Sequence, residues 1–159
     1  MHESVYDWVA DQVDQRGLSD AYVLEVGSYN VNGSVRELFT GSYLGTDLRE
    51  GPGVDLVVNA ERLPGTISQG IFDVVVCTET LEHVLRPWRV VENMAYALRK
   101  GGTLLVTTRG IGFPVHEYPE DHYRFSLGAV ERLCTSAGLS VLESADDPQC
   151  PGAFVAAVR

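Results

Sequence analysis

Residues 21–34, AYVLEVGSYNVNGS, place an apolar run, an acid and a glycine turn in one short segment. Val23, Leu24 and Val26 have the character of a strand buried on both faces of a parallel sheet. Gly27 to Asn32 follow as a tight polar loop, and Gly33 onward predicts a short helix ending near Gly41. That is half of a βαβ unit of the nucleotide-binding type. The next strand, Tyr43 to Asp47, closes on an acid about 20 residues beyond the loop, where such units place a carboxylate on a ribose hydroxyl.

Helices alternate with short β-branched runs along the rest of the chain, which argues for a mostly parallel sheet covered on both faces. The first helix starts at Ser4 as N-cap, buries Val5, Trp8, Val9 and Val13, and stops around Gly17. Further strands are expected at Asp55 to Val58, Phe72 to Cys77 and Thr103 to Thr108. A helix from Pro87 to Lys100 carries Val90, Val91, Met94, Ala95 and Leu98 on one face, with Arg99 and Lys100 at its negative end. The segment from Ala60 to Ile71 has room for at most a turn of helix, yet it can cross the sheet. Three strand spacings are about 14 Å, within the roughly 40 Å reach of twelve extended residues. After Ser126 a helix with Leu127, Val130, Leu133 and Cys134 ends at Gly138. Strands Ser140 to Ser144 and Ala153 to Val158 then flank a short Pro/Gly turn, so the last pair is antiparallel.

A chain of 159 residues with 45% apolar content suits a single domain, 1–159, around one core. The net charge of −10, without a basic stripe to offset it, repels polyanions, so no nucleic acid partner is expected. The apolar stretches are strand-length and MHESVYDWV is not a signal peptide, so no membrane association and a cytoplasmic location are expected. Three widely separated cysteines suggest buried thiols rather than a disulfide framework or zinc site.

The order and spacing of VLEVGS (23–28), LGTD (44–47), VVNAERLP (57–64), FDVVVCTETLEHV (72–84), LRKGGTLLVTT (98–108) and HEYPEDHYRFS (116–126) resemble class I S-adenosylmethionine-dependent methyltransferases of the small type 11 kind. The resemblance covers nearly the whole chain. It implies a three-layer, Rossmann-like α/β sandwich of about seven strands with a C-terminal antiparallel hairpin. It also implies S-adenosyl-L-methionine as cofactor. Two departures are visible: Tyr29 and Val31 stand where the family's loop has further glycines, and Asn59 stands where an acid often precedes Ala60.

Charge at Glu25 agrees with this cofactor independently. A strand-end carboxylate opposes an anionic pyrophosphate but favours a ligand bearing an ammonium and a sulfonium. Glu25 could instead cap the loop or pair with Arg36. Gly27 and Ser28 would let the backbone approach the ligand. Asp47 would hold the ribose hydroxyls, with Leu48, Asn59 and Ala60 beside the adenine. Asp47 and Asn59 could also be turn residues. By the resemblance, Cys77 and Thr78 would offer backbone contacts to the methionine portion, and Glu79 faces the same crevice or is a solvated acid.

Methyl transfer is an in-line displacement whose leaving group needs no acid, so positioning carries most of the rate. A base helps when the acceptor is a hydroxyl or protonated amine, and His83, His116 and His122 are the candidates. His83 could instead orient its loop. Tyr118 and Tyr123 could contact an acceptor, while Arg124 could pair with an acid and Phe125 seat the next helix. A metal held by His116, Asp121 and His122 matches no recognised ligand spacing, so no metal is expected.

The N-terminal helix (1–20) and the loop 109–125 would then enclose a small or medium-sized molecule acceptor. The alternatives are a non-catalytic S-adenosylmethionine-binding scaffold and a dinucleotide-dependent oxidoreductase.

Overall fold

The computed structural model describes residues 1–116 and 120–159. Its elements in chain order are α1 (Glu3–Arg16), β1 (Val23–Val26), β2 (Tyr43–Asp47), β3 (Leu56–Val57), β4 (Phe72–Thr78), α2 (Pro87–Ala97), β5 (Leu98–Arg109), α3 (Leu127–Ser136), β6 (Ser140–Asp146) and β7 (Gly152–Val158). Seven strands form one sheet in the order β3-β2-β1-β4-β5-β7-β6. The first five run parallel, while β7 pairs antiparallel with both β5 and β6, as the short final turn requires.

Alternation along the central strands builds a core on each face. Leu24, Val75, Cys77, Leu104 and Val155 pack with Val90, Val91 and Met94 of α2 and Val130 and Cys134 of α3. Val23, Val74, Val76, Leu105 and Ala156 pack on the opposite side with Val9 and Val13 of α1 and with Val35 and Phe39. One sheet between two helical layers is the outcome, and it is the expected three-layer α/β sandwich. The link from β3 at the sheet's edge to β4 beside β1 does cross without a full helix. A 3₁₀ turn at Ala60–Arg62 and the buried side chains of Leu63 and Ile67 occupy the place of one.

Several boundaries differ from expectation, and β5 begins at Leu98 rather than Thr103. The helix at 87–100 stops at Ala97, because Leu98 turns extended (φ −64°, ψ 138°) and pairs with Phe72. Arg99 consequently meets Asp73 instead of a helix end. After Gly33 there is only a 3₁₀ turn, Arg36–Leu38, because Val35 and Phe39 are both pinned in the core on either side of it. α1 begins one residue before Ser4, with His2 at the cap position, because the Ser4 side chain is turned into the interior. β3 shortens to two residues, since the Asp55 carboxylate is taken by the Gly45 N–H (2.7 Å) and by Arg36.

The carboxyl ends of β1, β2, β4 and β5 share one edge of the sheet. Strand order reverses between β1 and β4, and open α/β sheets bind ligands in the crevice at such a point.

Candidate functional site

A cavity of about 480 Å³ opens at that edge. It falls within the range of small-molecule sites. Its walls come from the ends of β1, β2 and β4, the loop 27–34, the segment 58–61, and a further group of residues that includes His2, His83, His116 and Glu120.

Glu25 faces the cavity from the end of β1 while remaining only 5% exposed. Its Oε2 accepts a hydrogen bond from the Tyr43 hydroxyl at 3.0 Å. The pairing with Arg36 does not form, because that guanidinium is bound to both oxygens of Asp55 at 2.9 and 3.3 Å. Burial pushes the Glu25 carboxyl up to about 7, against the pull of the Tyr43 hydroxyl. An acid so placed gains most from a ligand that brings its own positive charge.

The glycine turn explains its own composition. Gly27 has φ +85°, and a Cβ there would lie 2.0 Å from Thr80 Oγ1 on the β4 side of the switch point. Ser28 is 3% exposed, lines the cavity, and its Oγ has no hydrogen-bond partner among the described residues. A buried unsatisfied hydroxyl beside a cavity fits a polar ligand atom. The loop runs on without the family's further glycines, but the Tyr29 N–H donates to Asp47 Oδ2 at 3.2 Å. The altered loop therefore still braces the acid at the end of β2.

Asp47 makes the turn contact the sequence allowed and also reaches the cavity. Its Oδ1 accepts from the Arg49 N–H at 3.2 Å as a turn aspartate does, and it lines the cavity. Asn59 caps the following 3₁₀ turn through Oδ1 to the Glu61 N–H at 2.8 Å, yet it too lines the cavity, with Leu48 and Ala60 beside it. Thr78 also lines it. Cys77 does not: it lies in the core under α2, fully buried, with its thiol pushed up by desolvation. Strand alternation turns it away from its neighbour Thr78.

At the other end of the cavity Glu79 is the one non-glycine residue with positive φ among those described, at +47°. Such a backbone needs support from its surroundings. Glu79 Oε1 receives the His2 ring Nδ1–H at 2.8 Å and the Arg109 guanidinium. Arg109, with no side-chain exposure, also binds Asp147 at 2.9 Å. His2 and Arg109 went unnoticed in sequence; the one signal was an arginine closing the apolar run LLVTTRG, a counterpart of Glu25.

Two of the three candidate histidines meet. The rings of His83 and His116 lie edge to face, 4.8 Å between centroids. His83 Nδ1–H donates to the Glu120 carbonyl at 2.6 Å, so this ring is also held in place by the loop. Desolvation and the neighbouring His83 hold the His116 imidazole below its usual range. His122 is not at the cavity, because its Nε2 is drawn to Glu120 at 3.0 Å. Asp121 is bound by Arg124, which also donates to the Phe113 and Pro114 carbonyls, and Phe125 is seated in the core. The set His116, Asp121 and His122 is thus not assembled. Tyr123 donates its hydroxyl to the Leu85 carbonyl at 2.9 Å, and Tyr118 lies outside the described residues.

Comparison with known proteins agrees with this geometry. Residues 24–106, just over half of the chain, match the type 11 methyltransferase domain family. No curated protein gives a significant match. In structure the chain is similar to Burkholderia thailandensis 1,6-didemethyltoxoflavin-N1-methyltransferase, solved with 1,6-didemethyltoxoflavin and S-adenosylhomocysteine, at a TM-score of 0.80, 15% identity, and 99% and 79% of the two chains. It is similar to an S-adenosylmethionine-dependent methyltransferase from Mesorhizobium loti (0.71, 16%, 97% and 100%). A third is magnesium protoporphyrin IX methyltransferase from Synechocystis, solved with S-adenosylhomocysteine (0.72, 15%, 99% and 83%). Identities this low speak to the fold alone, whereas the match over residues 24–106 speaks to descent. With the strand-end acids and glycine turn in register inside that matched segment, the chain belongs to the S-adenosylmethionine-dependent methyltransferases, in their type 11 family.

Proposed function

We propose that the protein methylates a small or medium-sized molecule held between residues 1–20 and the loop 109–125, with S-adenosyl-L-methionine in the cavity over β1 and β2. The observation that carries this reading is Glu25: a buried acid pushed up to about 7, facing a cavity, with no ion pair to a cation of the protein among the described residues. An oxidoreductase binding a dinucleotide would have to set an anionic pyrophosphate against it.

When bound, the cofactor supplies a methyl group activated by its sulfonium. Glu25 holds the ammonium of the methionine end, Gly27 permits close backbone approach, and the Ser28 hydroxyl donates to a polar ligand atom. Asp47, oriented by the Tyr29 and Arg49 N–H groups, takes the ribose hydroxyls. Leu48, Asn59 and Ala60 border the base, and the backbone at Thr78 borders the methionine portion. The His83 and His116 rings line the cavity beside the acceptor, where an imidazole not engaged by a metal ion can take up its proton. His122 serves the loop's structure. Two of the similar structures are named for small-molecule substrates, which supports an acceptor of that size. Three free thiols, and no helix among the described residues long and apolar enough to cross a membrane, support cytoplasmic residence.

Calorimetric titration with S-adenosylhomocysteine tests the cofactor assignment. One site is expected, weakened at least tenfold by Asp47→Ala. Undiminished binding in that variant would remove Asp47 from the site, and methyl transfer to none of a broad panel of hydroxyl and amine acceptors would favour a scaffold role.

A further inference from the structure

We propose that Glu82, His83 and His116 form a site for a divalent metal ion of the zinc class in the acceptor wall of the cavity. Each offers one donor atom, and the three atoms lie within 4.8 Å of one another. For a triangle at that upper limit a central ion sits about 2.8 Å from each donor. Closing to zinc bonds of about 2.0–2.1 Å asks each side chain to move by less than 1 Å or so. Two imidazoles and a carboxylate, with remaining positions open to a cavity, are a donor set that suits zinc and its neighbours rather than calcium or magnesium.

The state of each donor points to a ligand. Glu82 is fully buried, an expensive place for a carboxylate, and its Oε1 has no hydrogen-bond partner among the described residues. Its other oxygen accepts from the Thr108 hydroxyl at 2.7 Å, which fixes the plane of the carboxylate and leaves Oε1 as the presented atom. The His83 Nδ1–H donates to the Glu120 carbonyl, the arrangement by which metal-binding histidines fix their tautomer, and this leaves the Nε2 lone pair available. His116 Nδ1 is buried and likewise unpartnered, although Asp121 approaches it at 3.4 Å.

The backbone supporting these side chains is tied together. The Glu82 carbonyl accepts from the His122 and Tyr123 N–H groups at 2.8 and 3.2 Å, and the His116 N–H donates to Asp121. The turn carrying Glu82 and His83 and the loop carrying His116 are thus held side by side before any ion arrives. His83 and His116 also line the cavity, so an ion here would expose its open positions to the acceptor. There it would bind an acceptor oxygen or nitrogen as a Lewis acid.

The test uses the full chain after dialysis against a chelator. Titration with Zn²⁺ alone should show one equivalent bound. Co²⁺ should give the visible d–d absorption of a four- or five-coordinate nitrogen and oxygen site. His116→Ala and Glu82→Gln should each weaken Zn²⁺ binding at least tenfold. His122→Ala, outside the triad, should leave it unchanged. Far-UV circular dichroism and titration with S-adenosylhomocysteine establish that each variant is folded. They also keep failure of the metal site distinct from failure of the cofactor assignment. No stoichiometric uptake, or uptake that His122→Ala abolishes and His116→Ala does not, overturns the proposal.

Discussion

Replacing Glu25 by glutamine should stabilise the protein while damaging its site, and the size of the gain follows from the burial of the acid. In the unfolded chain a glutamate titrates near 4.5, whereas in the fold burial raises it to about 7. Between those values the folded state binds the extra proton, so stability falls as pH rises from about 4.5 to about 7 and is level on either side. At 1.36 kcal/mol per pKa unit the total loss is about 3 kcal/mol. Glutamine has the same shape, can still accept from the Tyr43 hydroxyl, and stays neutral at every pH. Urea denaturation of both proteins at pH 5 and pH 8 isolates the effect, because every other titrating group is common to both. The variant should gain about 1–3 kcal/mol relative to wild type at pH 8, with most of that gain absent at pH 5. A difference that does not change with pH would refute the claim that Glu25 is held in the fold at an energetic cost. A cost of this kind persists where function needs the group.

Other consequences are equally concrete. Gly27→Ala puts a methyl group against Thr80 at a φ of +85°, so S-adenosylhomocysteine binding should be lost and stability reduced by about 1–2 kcal/mol or more; normal affinity in calorimetry would contradict the packing described. Arg109→Met leaves Asp147 buried without its cation and Glu79 in a strained turn with only His2 to support it, so chemical denaturation should show a loss of about 3–5 kcal/mol. A loss under 1 kcal/mol would mean that those acids find other partners.

The architecture was legible because it rests on periodicity. Val23, Leu24, Val74 and Val75 alternate between two helical layers, and that alternation is written in the chain. The unusual link through Leu63 and Ile67 was legible from reach alone. Local endings were less so: Leu98 continues the apolar face of α2, and only its pairing with Phe72 converts it to strand. The cavity wall over β1 and β2 was readable from strand-end acids, since Glu25 and Asp47 both line it and come from segments adjacent in both sequence and sheet. The cluster of His2, Glu79, Arg109 and Asp147 was not, because its members come together from distant parts of the chain. Cys77 and His122 are not among the residues that line the cavity, for a related reason: facing, one residue in or out, is decided by packing.

The most direct test of the central claim is a calorimetric titration with S-adenosylhomocysteine at pH 6 and pH 8, with NAD as the control ligand. With Glu25 at about 7, roughly one molecule in ten carries the charged acid at pH 6, so binding at pH 8 should be about tenfold tighter. Glu25→Gln should remove that dependence over this range, and NAD should give no heat. Binding of NAD but not S-adenosylhomocysteine, or an affinity for the latter that is equal at both pH values, would contradict the account.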